Sequence, residues 1–453
     1  MRRARTILGL AAALAVAAST PAWSWSNHAL LTYWTFKNTP EVAEAPDVVV
    51  ESFDDFLRAQ EKDVANLLDG VESWARTTIP KYPVRPDELA YRIDPARDAA
   101  GRRRAFAEAM RIAPDVRLAL FAQALPGFPA DPARALRFSE VSTLREPAFS
   151  MMRFTRLEPG EKVPAALALA SSSDEPDFGV DINCWDDSPS EWGKRYKFGK
   201  LPFGNPALDF ATQAPFHMGF YHQSWIIYRA APFVARTYPM LRVHQFVALA
   251  RLAFRTNHAY WGWRFAGMAM HYVQDLAQPY HASILPGVST LRMIAANTAA
   301  MVGWKGPKDA MVVLASNRHL AFERYEALLI HRDTSAGGKS PLIEALQAKA
   351  RDGVYPKWSD LYLRDVVTQE AFDFGETLSA ALLAAFPPKY VSDPSYDFGA
   401  SGGSGALISE VSERTPEQRA EIEGAVNELM GHFGAHSRNL VRAIGETRER
   451  NPK

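Results

Sequence analysis

The chain of 453 residues has one cysteine, Cys184, so no disulfide can form within it and a disulfide-stapled scaffold is excluded. It also lacks an excess charge of either sign, with 51 Lys and Arg against 51 Asp and Glu. Such a balance gives no electrostatic ground for strong non-specific binding to nucleic acid. No repeat of 20–50 residues is present, which argues against a solenoid or propeller. Strict two-residue alternation of apolar and polar side chains is rare, so a large sheet is not expected. What is present is an ordinary globular composition, 47% hydrophobic and 23% charged, which excludes global disorder.

The first residues read as a targeting segment. Arg2, Arg3 and Arg5 precede a small and apolar run over residues 6–18, followed by a polar stretch with a proline at 19–24. That layout predicts a secretory signal peptide, and the run is too short to span a bilayer. Cleavage after Ala22, or alternatively after Ser24, removes three of the 51 bases and no acid, so the mature chain is about three charges negative. The predicted location is secreted or periplasmic.

Helical spacing dominates the rest, and the expected fold class is all-α: one multi-helical domain over 23–392 with long loop insertions. Phe53, Phe56, Leu57, Val64, Leu67, Leu68 and Val71 recur at three- and four-residue intervals. Residues 241–254 and 260–273 predict two further helices, and 366–386 another, stopped by Pro387 and Pro388. Residues 82–100 and 157–215 read as irregular, within an insertion of about 80–215. The Ser401-Gly402-Gly403-Ser404-Gly405 run predicts a flexible linker over 393–414. Thr415-Pro416-Glu417-Gln418 then opens a terminal helix over 415–453: a Thr cap, Pro in the first turn, and Gln at the capping-box position.

The chemistry is concentrated in His271-Tyr272-Val273-Gln274-Asp275-Leu276-Ala277-Gln278-Pro279-Tyr280-His281. His271 and Asp275 are four apart and share a helix face. Pro279 ends or kinks that helix and can swing His281 back toward the same centre. His319 and Glu323 repeat the four-residue spacing. One such pair alone is more often a surface salt bridge. Two pairs among apolar neighbours, with a third His past a helix-breaking proline, point instead to a zinc cage of imidazole and carboxylate.

This arrangement resembles the superfamily of zinc-dependent phospholipases C and fungal single-strand nucleases. The resemblance implies a helical, secreted protein holding two to three zinc ions. It implies that the amine and carbonyl of an N-terminal Trp exposed by signal cleavage act as ligands, and the segment Ala22-Trp23-Ser24-Trp25-Ser26-Asn27-His28 offers one. Trp23 stands five residues before His28 and Trp25 three; the ligand spacing favours Trp23. By the same resemblance His28, His271, Asp275 and His281 join the zinc cluster, Asp275 bridges two ions, and His319 with Glu323 serves a third. It further implies an Asp from 174–181, Asp174 or Asp177, as ligand, base or water-orienting group, and one more His, with His217 ahead of His222. Phe216, Phe220 and Tyr221 are candidates for a substrate-pocket wall.

Other histidines read differently. His258 and His244 are expected to be hydrogen-bonded packing residues. His432 and His436 are expected on the solvated face of the terminal helix, and Cys184 is expected to be structural. Residues 291–302 and 311–315 form an apolar segment, either a buried hairpin or a surface touching lipid, which Lys305, Lys308 and Asp309 keep from spanning a membrane. The function expected from the resemblance is hydrolysis of a phosphodiester, phospholipase C-like, by a secreted zinc enzyme. A single-strand nuclease of the same fold, or a non-catalytic zinc-binding exported protein, is the alternative.

Overall fold

The computed structural model describes residues 27–144, 152–204, 209–399, 401 and 404–449. The expected signal peptide, Trp23 and Trp25 lie outside the described residues. Helix accounts for 62% of the chain and strand for 3%, which settles the all-α class. No described helix is long and apolar enough to cross a membrane.

The fold is organised around the helix Ala259–Leu276, in which every residue from Tyr260 to Leu276 is buried. Its sequence explains this burial on all sides. Trp261, Trp263 and Phe265 supply apolar area, while Gly262, Ala266, Gly267 and Ala269 leave room for neighbouring backbones. The helix Pro239–Arg255 packs along it, joined through a turn in which Asn257 takes a left-handed φ of 64°. Ala165–Ser173 packs on another side and touches the first helix, His28–Phe36. One apolar core runs from Ala29 to Ile444. A separate small cluster of Phe121, Leu136, Val141, Phe154 and Phe178 covers a three-stranded antiparallel sheet.

The helices expected at 241–254, 260–273 and 366–386 are present as Pro239–Arg255, Ala259–Leu276 and Thr368–Ala385. The terminal helix, Pro416–Glu449, begins with the expected reciprocal cap: the Gln418 N–H donates to Thr415 Oγ1 at 3.3 Å and the Thr415 N–H to Gln418 Oε1 at 3.2 Å. Arg438 clamps this helix to the distant segment 346–352, donating to the Leu346 carbonyl at 2.7 Å and to Asp352 at 2.8 Å.

Two expectations need correction. Residues 157–215 are not uniformly irregular, because Ala165–Ser173 is a buried helix of alanine, leucine and serine. Its seam with the central helix depends on Gly267: a Cβ there would come within 2.1 Å of Ser172 Oγ and 2.4 Å of the Leu169 carbonyl oxygen. Nor is 393–414 a plain linker. The Phe398 N–H donates to Asn317 Oδ1 at 2.9 Å, the Phe398 ring is buried against Tyr390, and Leu407–Ser412 is helical. Apolar anchors at Tyr396, Phe398 and Leu407 outweigh the local flexibility of the glycine run, of which Gly402 and Gly403 lie outside the described residues.

Gly267→Ala is therefore expected to force the two helices apart and to cost about 1–3 kcal/mol, as overpacking of a close seam does. Urea unfolding of the variant checks this; an unchanged midpoint contradicts the account of the seam.

Candidate metal centre

Six segments bring the donors together. His271 and Asp275 stand one helical turn apart on the buried central helix. Pro279 starts a new short helix, Pro279–Ala282, which turns the chain and returns His281 to the Asp275 carboxylate, with its Nδ1 3.9 Å from Oδ1. His28 opens the first helix, with its Nε2 3.3 Å from Asp275 Oδ1. His217 ends the short helix Ala214–His217, and its Nδ1 lies 2.8 Å from Asp275 Oδ2. Asp177 comes from the turn Glu175–Phe178, 3.7 Å from both His217 Nδ1 and His271 Nε2. His319 and Glu323 lie on the long helix Gly306–Ser335, 2.7 Å apart, and Glu323 is 3.1 Å from His281 Nε2.

The donors fall into three buried sets: His28, His271 and Asp275; Asp177, His217 and His271; and His281, His319 and Glu323. In each set the ligand atoms lie within 4.8 Å of one another, a spread that side-chain shifts of about 1 Å bring to bonds of about 2 Å on one ion. Asp275 links the sets, offering one oxygen toward His28 and His281 and the other toward His217 and His271.

The residues fit a bound cation on independent grounds. Among the described residues, His28 Nε2, His217 Nε2, Asp174 Oδ2, Asp275 Oδ1 and Glu323 Oε2 are buried without a hydrogen-bond partner. His217 Nδ1 and His271 Nε2, two ring nitrogens, approach to 3.0 Å with carboxylates on either side. Buried polar atoms are rarely left unpaired without a functional cause.

The far sides of the rings are fixed by second partners. His271 Nδ1 meets the Ser173 carbonyl at 2.8 Å, His281 Nδ1 the His217 carbonyl at 2.7 Å, and His28 Nδ1 the Gln274 side-chain oxygen at 2.8 Å. His217 Nε2 lies 3.4 Å from Asp181, whose other oxygen accepts from Arg242 Nε at 2.6 Å. Such partners select the tautomer and hold the ring for its ligand role.

Electrostatics follow from this crowding. Burial opposes ionisation of Asp275, but the His271 and His281 charges and the hydrogen bond with His217 hold it well below the ordinary carboxylate range. Burial likewise disfavours the His217 cation, yet the Asp181 and Asp275 carboxylates beside it push it up to about 10. Burial raises Asp174 to about 7. The carboxylates around His217 and His281 thus favour a proton on those two rings, which a bound metal ion would displace.

The site collects His28, Asp177, His217, His271, Asp275, His281, His319 and Glu323 from the sequence reading. Asp174 lies beside it, accepting from the Ala29 N–H at 3.2 Å. His222 is turned away, with its Nε2 2.8 Å from the Arg364 carbonyl oxygen. Phe216, proposed as a pocket wall, is instead packed inside among Trp185, Phe198 and Tyr238, because Arg242 lies over its ring and the interior claims both faces. Tyr221 is half-buried, and Phe220 lines an apolar groove.

His432 and His436 are not on a solvated face. Both are buried against Glu370 of the Thr368–Ala385 helix, at 3.3 and 3.0 Å, and Glu428 supplies a carboxylate one turn before His432. His258 pairs with Glu51 at 2.8 Å and His244 stacks on Trp74, both away from the cluster as expected. Sequence reasoning missed Gln274, Gln278, Asp181 and Glu326. Gln274 and Gln278 sit inside the ligand motif itself. Glu326 follows Glu323 by three residues and is buried with neither carboxylate oxygen paired among the described residues.

Compared with family models, curated proteins and solved structures, the chain matches none.

The raised His217 pKa has a sign that can be tested. Its contribution to the stability of the metal-free protein is fully present below about 6.5 and is lost as pH rises toward about 10. Thermal unfolding with a chelator is expected to show falling stability from pH 6.5 upward, and a divalent metal to reverse the trend. Parallel curves with and without metal would contradict the ligand assignment.

Proposed function

We propose that the protein is a zinc-dependent phosphodiesterase, phospholipase C-like, acting in an exported compartment. The observation that carries this reading is the convergence of three buried imidazole–carboxylate sets on Asp275, a donor chemistry suited to zinc. Zinc, when bound there, supplies Lewis acidity toward a phosphoryl group and activates a water at neutral pH.

The chain's own residues divide the remaining tasks. Asp275 holds the sets in register, and His28, His217, His271, His281, His319 and Glu323 complete the cage. In the full resemblance-based site Trp23 or Trp25 supplies the further ligand beside His28. Asp177 lies against His217 and His271 and is the better placed carboxylate to ligate or orient a water. Asp174 is buried, carries one unpaired oxygen, and is raised to about 7 by that burial. A carboxyl of this kind exchanges a proton near neutral pH, as a base or acid must. Asp181 and Arg242 position His217 from behind.

The test combines metal analysis of the mature protein, mass spectrometry of its N-terminus, and turnover of phosphatidylcholine, a generic diester and single-stranded DNA. Two to three zinc ions per chain and hydrolysis of the first two are expected. His271→Ala and chelation are expected to reduce turnover at least a hundredfold, with zinc restoring only the chelated wild type. Preferred cleavage of DNA would replace the phospholipase reading by the nuclease one. Zinc without turnover of any substrate would leave a binding protein.

A further inference from the structure

Beside the metal centre runs an apolar groove of about 240 Å³, between the helices Trp225–Ala230, Thr290–Met301 and the start of Gly306–Ser335. Phe220, Ile227, Phe233, Leu285, Ile294 and Met311 line it. Its wall is continuous with the ligand segments. Phe220 follows His217 by three residues, Leu285 follows His281 by four, and the Gly219 N–H donates to the His281 carbonyl at 2.8 Å.

The helices that border the groove, and the turn between two of them, carry several exposed large apolar side chains. Leu291 is 77% exposed, Val302 82%, Trp304 68% and Trp225 72%. Several large apolar side chains exposed on neighbouring elements are a feature of interaction surfaces. The charge around them is mostly positive, with Asp309 after Lys308 the nearest acid in the sequence. From 276 to 308 the sequence carries no carboxylate but has Arg292, Lys305 and Lys308, and Arg229 stands on the facing helix. Between Asp209 and Asp309 the sole acid is Asp275, deep in the metal centre. In a chain with equal acids and bases, this is a strong local bias.

We propose that this face docks on a lipid surface bearing anionic headgroups, and that the groove receives one acyl chain of the lipid being cleaved. Tryptophan beside lysine at an apolar tip suits the boundary between headgroups and hydrocarbon, where the ring is half-solvated and the ammonium meets phosphate. The groove then lies between that boundary and the metal centre. The proposal deepens the phospholipase C-like reading by naming the face that meets the lipid surface and the groove that takes the acyl chain, and rests on that reading for the cleavage step alone.

Binding and cleavage are separable in the test. The full zinc-loaded chain is sedimented with vesicles of pure phosphatidylcholine and of phosphatidylcholine with one third phosphatidylglycerol. Hydrolysis of a soluble diester is measured alongside and reports on the metal centre without vesicles. Binding is expected to be at least tenfold stronger to the anionic vesicles and to weaken at high salt. Val302→Asp combined with Trp304→Ala is expected to lower it at least tenfold. Both sites are exposed, and circular dichroism confirms that the variant is folded. Lys305→Glu with Lys308→Glu is expected to remove the preference for anionic vesicles. Wild-type binding that is absent, or indifferent to these changes, overturns the docking surface. So does self-association of the wild type that the apolar variant abolishes, since a second copy would then cover the face. Vesicle binding without soluble-diester turnover would sink the phosphodiesterase reading and leave the surface standing.

Discussion

A carboxylate in the dry interior is the constraint on which the rest of the structure turns. Asp275 is completely buried, and four imidazoles lie within 4 Å of it: His217 at 2.8, His271 at 3.2, His28 at 3.3 and His281 at 3.9 Å. An isolated charge at that depth is prohibitively unfavourable, so it must be balanced by protonated rings or by a cation. Each ring is in turn fixed by a carbonyl, a carboxylate or a glutamine. The small residues of the central helix serve the same end, because only a close seam brings Ser173 O and Asp177 to His271.

Local order carried much of this into the sequence. His271 and Asp275, like His319 and Glu323, are four apart on helices, and that spacing alone puts both groups of a pair on one side. Pro279 restarts the helix and returns His281, as a proline at a first turn should. The reciprocal cap at Thr415 and Gln418 was equally local.

What could not be read depends on distance along the chain. Asp177 and His217 are named only through the family resemblance, because Asp177 follows a helix drawn against Gly267 and His217 ends a helix packed on Pro239–Arg255 and Ala259–Leu276, tertiary fits that no local spacing announces. Phe216 looked like a pocket residue beside a ligand, but Trp185 and Tyr238, from elements far apart in the chain, enclose it. His432 and His436 looked solvated because Glu370, their partner, is more than sixty residues away. The Glu428 pairing was local, at the same four-residue spacing, and the sequence reading overlooked it.

The brace behind His28 extends further than the ligands do. Gln274, which fixes the His28 ring, also donates to Thr32 Oγ1 at 2.9 Å and to Ser437 Oγ at 3.2 Å, so a residue near the chain's end steadies a ligand near its start. During synthesis His28 emerges more than four hundred residues before Ser437. The cluster therefore cannot reach its fully braced form until nearly the whole polypeptide has been made and the last helix has docked, so its final geometry is a property of the complete chain and not of its N-terminal part.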